Sequence, residues 1–310
     1  MNILVSGSIA YDSVMDFPDH FKNHILPDKI HNLNVSFLVD GLKLNYGGTA
    51  GNIAYSLKLL GEEPRIISTA GCDFDRYKIW MDKNGIDHLG IRVIKEEFTA
   101  LAHIITDQGD NQITAFYPGA MKYSCGEVEQ AWLRDSFAIV SPGYQGDMVK
   151  FYKTYQKNKT PYIFDPGQQI TSLSEEQLKG GIEGAKVFIS NDYELSLVMK
   201  KTNWSEKDIL EKSEILVTTL GEKGSRIRTE KEKLEIPPAR PEKVKDPTGA
   251  GDAYRSGFIK GLINKWPLEK TGLLASVVSA YAVETYGTQN HTFNWEDIQE
   301  RYKNNFGEEI

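Results

Sequence analysis

Short apolar runs rich in β-branched residues recur along the chain at residues 3–5, 65–69, 138–141, 161–165, 186–190 and 215–219. Each reads as a strand buried on both faces. Between them lie patterns of helical period at 52–60, 74–84, 147–157, 192–200 and 252–263. This alternation leaves few solutions, because parallel neighbours need a crossover long enough to hold a helix, and that crossover is right-handed. The expectation is an α/β fold with a mainly parallel central sheet flanked by helices, and with ligands gathering at the carboxyl ends of the strands. A chain of 310 residues has ample length for such a unit and its core.

Two segments, 32–45 and 98–117, break the alternation. In the second, strand-like runs at 101–106 and 113–117 flank Gln108-Gly109-Asp110-Asn111, a hairpin signal. Extra strands without helical cover predict a small β-sheet lid, with strands drawn from about residues 10–17, 32–47 and 98–120 and inserted in a single domain spanning 1–310. Exposed lid strands need covering, which points to a homodimer through the lid.

Composition narrows the partners. Net charge is −7, and a phosphate-backbone binder needs clustered Lys and Arg, so no nucleic acid is expected. Cys72 and Cys125 are too few for a disulfide framework or a four-ligand zinc site and suit a reducing cytosol. The first twelve residues lack a basic region and reach Asp12 early, unlike a secretory leader. The most membrane-like stretch, 271–283, is closed off by Lys270 and Glu284 and reads as a buried helix. No membrane association and a cytoplasmic location are the expectations.

The most informative motif is Lys245-Asp246-Pro247-Thr248-Gly249-Ala250-Gly251-Asp252-Ala253-Tyr254-Arg255-Ser256-Gly257-Phe258. Pro247 stops the preceding strand, Gly249 and Gly251 let backbone approach a ligand, and a helix begins at once. N–H groups at such a start form an anion site, with Asp252 placed in it. Taken alone, the stretch is also an ordinary glycine turn with Asp as a good first-turn residue. A second glycine turn opens a helix at Asn45-Tyr46-Gly47-Gly48-Thr49-Ala50-Gly51-Asn52-Ile53-Ala54, with an amide in place of the acid. Gly48 and the Asn52 amide suit a polyhydroxylated neutral ligand, and Asp12, just past the first strand, would accept from a vicinal diol.

Together these residues resemble the ribokinase-like, PfkB-type family of carbohydrate and nucleoside kinases. Residues 47–54 look like its N-terminal signature and 246–258 like its C-terminal one. Asn191-Asp192-Tyr193-Glu194 reads as the family's Asn-x-x-Glu motif, and Thr219-Leu220-Gly221-Glu222-Lys223-Gly224 as its nucleotide loop. Within the family the adenosine kinases are the nearer branch. That likeness rests on residues 36–40, Phe116-Tyr117-Pro118-Gly119-Ala120-Met121, Asp165-Pro166-Gly167-Gln168-Gln169 and Gly287-Thr288-Gln289.

The resemblance implies a ribokinase-like fold that transfers the ATP γ-phosphoryl to the 5′-hydroxyl of adenosine. It makes Asp252 the general base, with the Gly249, Ala250, Gly251 and Asp252 amides as an anion hole. Asp12, Gly48 and Asn52 match ribose-binding positions, and Ser8, Ser36 and Gln168 match further nucleoside contacts. Asn191, Thr219, Gly221 and Gly224 would contact ATP, and Glu194 would help organise Mg2+ through water. A monovalent cation such as K+ is compatible with this cofactor set. Ala102 stands where an aromatic residue flanking the base is expected, which leaves Phe37 and Phe116 for stacking or, equally, for lid core.

Competing motifs are missing. There is no Gly-x-x-x-x-Gly-Lys-Ser/Thr loop and no Gly-x-Ser-x-Gly elbow, and Tyr254 stands where a dinucleotide fingerprint needs glycine. His20 and His24 have metal-like spacing without a third ligand. A sugar-phosphate substrate needs a cationic pocket, yet residues 98–121 contain no Lys or Arg. The alternatives are a broader purine nucleoside kinase or ribokinase and, outside enzymes, a catalytically silent nucleoside-binding regulator.

Overall fold

The computed structural model describes residues 1–109 and 111–310, with positions 29 and 30 described by backbone alone. In chain order the strands are β1 (Asn2–Ser6), β2 (Ala10–Asp16), β3 (Gly41–Gly47), β4 (Pro64–Gly71), β5 (Ile91–Ile94), β6 (Ala100–Thr106), β7 (Gln112–Tyr117), β8 (Ser136–Val140), β9 (Tyr162–Phe164), β10 (Val187–Asn191), β11 (Ile215–Thr219), β12 (Ser225–Arg228) and β13 (Lys233–Ile236). The helices are α1 (Thr49–Leu59), α2 (Asp75–Lys83), α3 (Gln145–Asn158), α4 (Glu175–Ile182), α5 (Asp192–Thr202), α6 (Glu206–Leu210), α7 (Ala250–Ile263), α8 (Leu268–Val283) and α9 (Trp295–Phe306).

Nine strands form the main sheet in the order β13-β12-β11-β10-β9-β8-β1-β4-β5. From β11 to β5 every pair is parallel, and β12 and β13 add an antiparallel edge. The strand period of two splits the core between the two faces. Ile3, Val5, Ile139, Val187 and Ile189 pack with Ile53, Phe258, Leu274 and Ile298 from α1, α7, α8 and α9. Leu4, Ala138, Val140 and Phe188 face the other way, onto Phe151, Leu178, Val198 and Ile209 from α3, α4, α5 and α6. The continuous apolar runs follow from this double cover. The expected membrane-like stretch lies within α8, buried in the first of these clusters. Among the described residues, no helix is long and apolar enough to cross a membrane.

Four strands form a second sheet in the order β3-β2-β6-β7. The pairs β2–β3 and β6–β7 are antiparallel and β2–β6 is parallel. The hairpin between β6 and β7 forms, with Asp110 of its expected turn outside the described residues.

The first half of the 32–47 segment departs from expectation. No strand forms before Gly41, because Phe37 is held in an aromatic cluster, 4.9 Å from Phe17 and 5.1 Å from Phe21 between ring centres. The edge strands β5 and β13, and β12 next to β13, lie outside the sequence expectation. Their side chains alternate between buried and more exposed or are mostly exposed at this margin of the sheet, so they lack the apolar run that marks the central strands.

Candidate active site

Helix α1 opens directly after Gly48 at φ 87°, and α7 directly after Gly249 at φ 80°. Left-handed backbone at these two positions is what glycine supplies, and it lets each helix start two or three residues earlier than its apolar pattern indicates. The two starts face each other across the carboxyl ends of the main sheet. There they wall a cavity of about 790 Å3 together with β2 and β7 of the smaller sheet.

Asp252 sits in the first turn of α7, and the Asn52 amide on α1 donates to its Oδ2 at 2.8 Å. Asn52 Oδ1 in turn accepts from Thr288 Oγ1 at 2.7 Å and from Gln289 Nε2 at 3.1 Å. Gln289 also donates to Tyr77 Oη at 2.5 Å and accepts from Trp80 Nε1 at 3.1 Å, and Tyr77 Oη donates to the Gly47 carbonyl at 2.8 Å. The donors on Thr288, Gln289, Trp80 and Tyr77 each have an acceptor, so the Asn52 amide can point only one way, with its oxygen toward Thr288 and Gln289. Asn52, expected at the ribose position, lines the cavity, and what it has left to offer a ligand there is its second N–H. Its oxygen is fully occupied, and one N–H is committed to Asp252.

Burial raises the Asp252 carboxyl to about 6, with Asp165 and Asp12 pushing the same way against Arg255 and the Asn52 hydrogen bond. Asp12 on β2 is likewise raised to about 6 by burial and by Asp246. Register places Asp12 beside Ala102 on β6 and Ala102 beside Phe116 on β7. The small Ala102 thus separates a carboxylate from an aromatic ring on one face of the smaller sheet. Phe116 is 51% exposed and lines the cavity.

Of the four residues expected in the anion hole, Gly249, Gly251 and Asp252 line the cavity. Gly251 and Asp252 lie in the first helical turn, where N–H groups have no carbonyl four residues back. Ala250 does not line it, since its N–H is turned back onto the Pro247 carbonyl at 3.2 Å. Ser8, Gly48, Gln168, Asn191, Glu194, Thr219 and Gly221 are all on the wall. Two of these also have local duties. Ser8 Oγ accepts the Thr49 N–H at 3.0 Å, and Asn191 with Glu194 forms a capping box at the start of α5. The box commits Glu194 Oε2, and burial raises this carboxyl.

Three expected contacts lie off the wall. Ser36 is exposed, Phe37 is held in its aromatic cluster, and the Gly224 carbonyl closes the β11–β12 turn by accepting the Leu220 N–H at 2.8 Å. His24 is taken by Asp19 Oδ2 at 2.8 Å, and no group of three or more His, Cys, Asp or Glu able to hold a metal occurs among the described residues.

Sequence reasoning missed Thr288 and Gln289 as parts of the Asn52 network, and it missed Asp165 and Arg255 altogether as wall residues. Asp165 and Arg255 form a buried ion pair, with Arg255 Nη2 2.8 Å from Asp165 Oδ1 and Nε bonded to Oδ2. An arginine three residues after Asp252 on the same helix was the available signal.

A family profile described as pfkB family carbohydrate kinase matches residues 9–295. A nucleoside kinase of Methanocaldococcus jannaschii is 33% identical over 276 residues, which is 88% of this chain and 91% of that protein. Its crystal structure superposes with a TM-score of 0.88 at 31% identity, covering 98% of both chains. The Burkholderia thailandensis nucleoside kinase in complex with inosine gives a TM-score of 0.87 at 38% identity over 99% of both chains. Its complex with ADP-inosine gives 0.85 at 39%, covering 99% of this chain and 97% of that one. The α/β architecture with its small second sheet is thus the ribokinase-like fold.

Proposed function

This chain belongs to the pfkB family of carbohydrate kinases, and from that premise we propose that it transfers the γ-phosphoryl of ATP to the 5′-hydroxyl of a purine nucleoside, with adenosine among its substrates. The observation that carries the reading is the Asn52–Asp252 hydrogen bond. It holds a base beside free helix-start N–H groups, in a cavity that also presents Asp12 and Phe116. The relatives that act on or hold nucleosides support the same substrate class.

In this mechanism Asp12 accepts hydrogen bonds from the ribose diol, and the smaller sheet acts as a lid that lays Phe116 against the base. The 5′-oxygen attacks the γ-phosphorus while Asp252 takes its proton. The bond from phosphorus to the β–γ bridging oxygen breaks, ADP leaves, and the Gly251 and Asp252 N–H groups receive the charge on the transferring group. Positioning and charge stabilisation are the main demands of this chemistry.

Mg2+ supplies charge neutralisation on the nucleotide phosphates. The residues fit such an ion as one held mainly by phosphate and water, because Glu194 keeps one oxygen uncommitted on the wall and no larger acidic cluster exists among the described residues.

A coupled ADP-release assay with adenosine, inosine, ribose and fructose 6-phosphate tests the proposal. Turnover of the nucleosides at least ten-fold above both sugars supports it, and the reverse order refutes it. Exchanging K+ for Na+ in the same assay tests for a monovalent-cation requirement.

The lid's outer face carries an apolar row, Leu42, Met15, Ile105 and Ile113, one residue from each strand in register. Leu42 and Ile113 are exposed. We read this row as covered by a second copy of the chain, and sedimentation of Leu42→Asp as monomer against a wild-type dimer tests it.

A further inference from the structure

Among the described residues Arg255 is the only cationic side chain on the cavity wall, which also carries Asp12, Asp165, Glu194 and Asp252. A nucleoside triphosphate brings more negative charge into that space, so whatever this guanidinium does bears on how the phosphates are tolerated. Its fork is used on one side only. Nε and Nη2 grip Asp165, which is fully buried, and Arg255 itself is 8% exposed. Nη1 has no acceptor among the described residues. It lies against the start of α7, where a first side-chain carbon on Gly251 would come within 2.7 Å of it.

Asp165 therefore fixes the plane of the guanidinium while leaving one edge turned toward the glycine turn that opens α7. A buried pair kept only for stability would be replaceable by apolar residues of similar volume. An arginine anchored on one edge and open on the other is instead suited to oxygens of a planar or tetrahedral anion.

We infer that Arg255 Nη1 donates to a γ-phosphoryl oxygen of ATP and holds it as the O5′–phosphorus bond forms and the bond to ADP breaks, with Asp165 as the residue that positions the guanidinium. The guanidinium keeps all its protons throughout. This inference rests on the phosphoryl-transfer reading above and adds a cationic contact to the backbone N–H groups.

The test compares wild type, Arg255→Lys, and the double variant Asp165→Asn with Arg255→Gln, which removes both charges and so leaves no unpaired ion in the interior. Calorimetry measures affinity for ADP, for the non-hydrolysable analogue adenylyl-imidodiphosphate and for inosine, and steady-state kinetics separate kcat from KM.

In wild type the analogue should bind more tightly than ADP. Both variants should lose about ten-fold or more of that preference while inosine affinity stays within about two-fold, and kcat should fall about 10²- to 10³-fold, the range for one lost transition-state donor. A wild type that binds the analogue no better than ADP overturns the inference. So does a variant that loses ADP and analogue affinity equally, because that is the pattern of a structural pair. Failure of the wild type to phosphorylate any nucleoside would refute the function proposed above. The preference for the analogue over ADP would still decide the Arg255 contact on its own.

Discussion

Replacing Asn52 with leucine keeps the side chain's size and removes the amide that donates to Asp252 Oδ2 at 2.8 Å. That hydrogen bond favours the charged carboxylate, so losing it shifts ionisation to higher pH. A hydrogen bond to a charged group contributes ~1.5–3 kcal/mol. At 1.36 kcal/mol per pH unit, the midpoint should rise by about one to two pH units from its present value of about 6. At pH 7 a carboxyl with its midpoint at 6 is about nine-tenths ionised, at 7 about half, and at 8 about one-tenth.

The assay is kcat/KM for adenosine at saturating ATP between about pH 5 and pH 9, run on both proteins. Asp12 titrates in the same region, but it is present in both and cancels in the comparison. The variant should lose about two- to ten-fold at pH 7 from ionisation alone and should recover that part of the loss by pH 9. Thermal melting comes first, since Thr288 Oγ1 and Gln289 lose an acceptor. Thr288 Oγ1 can turn to the Tyr46 carbonyl at 3.1 Å, while Gln289 keeps its existing bond to Tyr77 Oη and is left with one unpaired N–H, so the fold should survive at a cost of ~1–3 kcal/mol. An acid limb that coincides in the two proteins would refute the claim that Asn52 tunes Asp252.

Asp252→Asn should lower kcat by about 10²- to 10⁴-fold with nucleoside affinity retained in calorimetry, and near wild-type turnover in the folded variant counts against a general base. The same variant should melt higher than wild type at pH 8 and equally at pH 4, because it removes a partly desolvated carboxylate that is charged only at the higher pH. Deoxyadenosines lacking the 2′- or 3′-hydroxyl should be about ten-fold poorer substrates, and Asp12→Ala should shrink that gap. Equal use of adenosine and its deoxy forms by wild type removes Asp12 from the ribose site. Phe116→Ala should raise KM for adenosine about ten-fold, leave KM for ATP nearly unchanged and increase the share of ATP lost to water, and a variant that matches wild type on all three would make Phe116 lid packing only.

The central strands are legible because a parallel sheet covered on both faces demands unbroken apolar runs, and β8 and β11 are such runs. The glycine turns before α1 and α7 are legible for a similar local reason, since each needs positive φ beside a helix start. What stays hidden depends on partners far away in the chain. Asn52 and Asp252 are 200 residues apart, so the sequence shows two polar residues at two helix starts without showing that one orients the other. Arg255 meets Asp165 across 90 residues, and next to Asp252 it reads as an ordinary helical base. Phe37 sits in a segment with strand-like composition, yet the pull of Phe17 and Phe21 outweighs strand propensity there. The Asn191 and Glu194 motif shows the reverse limit. Its capping role follows from local rules alone, and so the same residues carry two readings that sequence cannot separate.

The carboxylates on the wall of this cavity also work against the fold. Asp12 and Asp252 ionise in the folded chain at about 6, against about 3.9 when unfolded. The folded chain therefore binds those protons more tightly. Stability from this source is fully present below about pH 4 and is lost as pH rises through about 6, on the order of 2–3 kcal/mol for each group. A proton-accepting Asp252 exists only on the alkaline side of that loss. A general base at Asp252, as proposed, would thus operate where the charges of its own site destabilise the fold, against the packed core that β1, β8, α7 and α8 share. Such a cost is expected where an ionised base must stay dry enough to be a strong acceptor and yet remain oriented. A loosely held carboxylate could lower its own energy by turning toward solvent or toward Arg255. The hydrogen bonds from Trp80 through Gln289 to Asn52 hold it in one orientation at the start of α7.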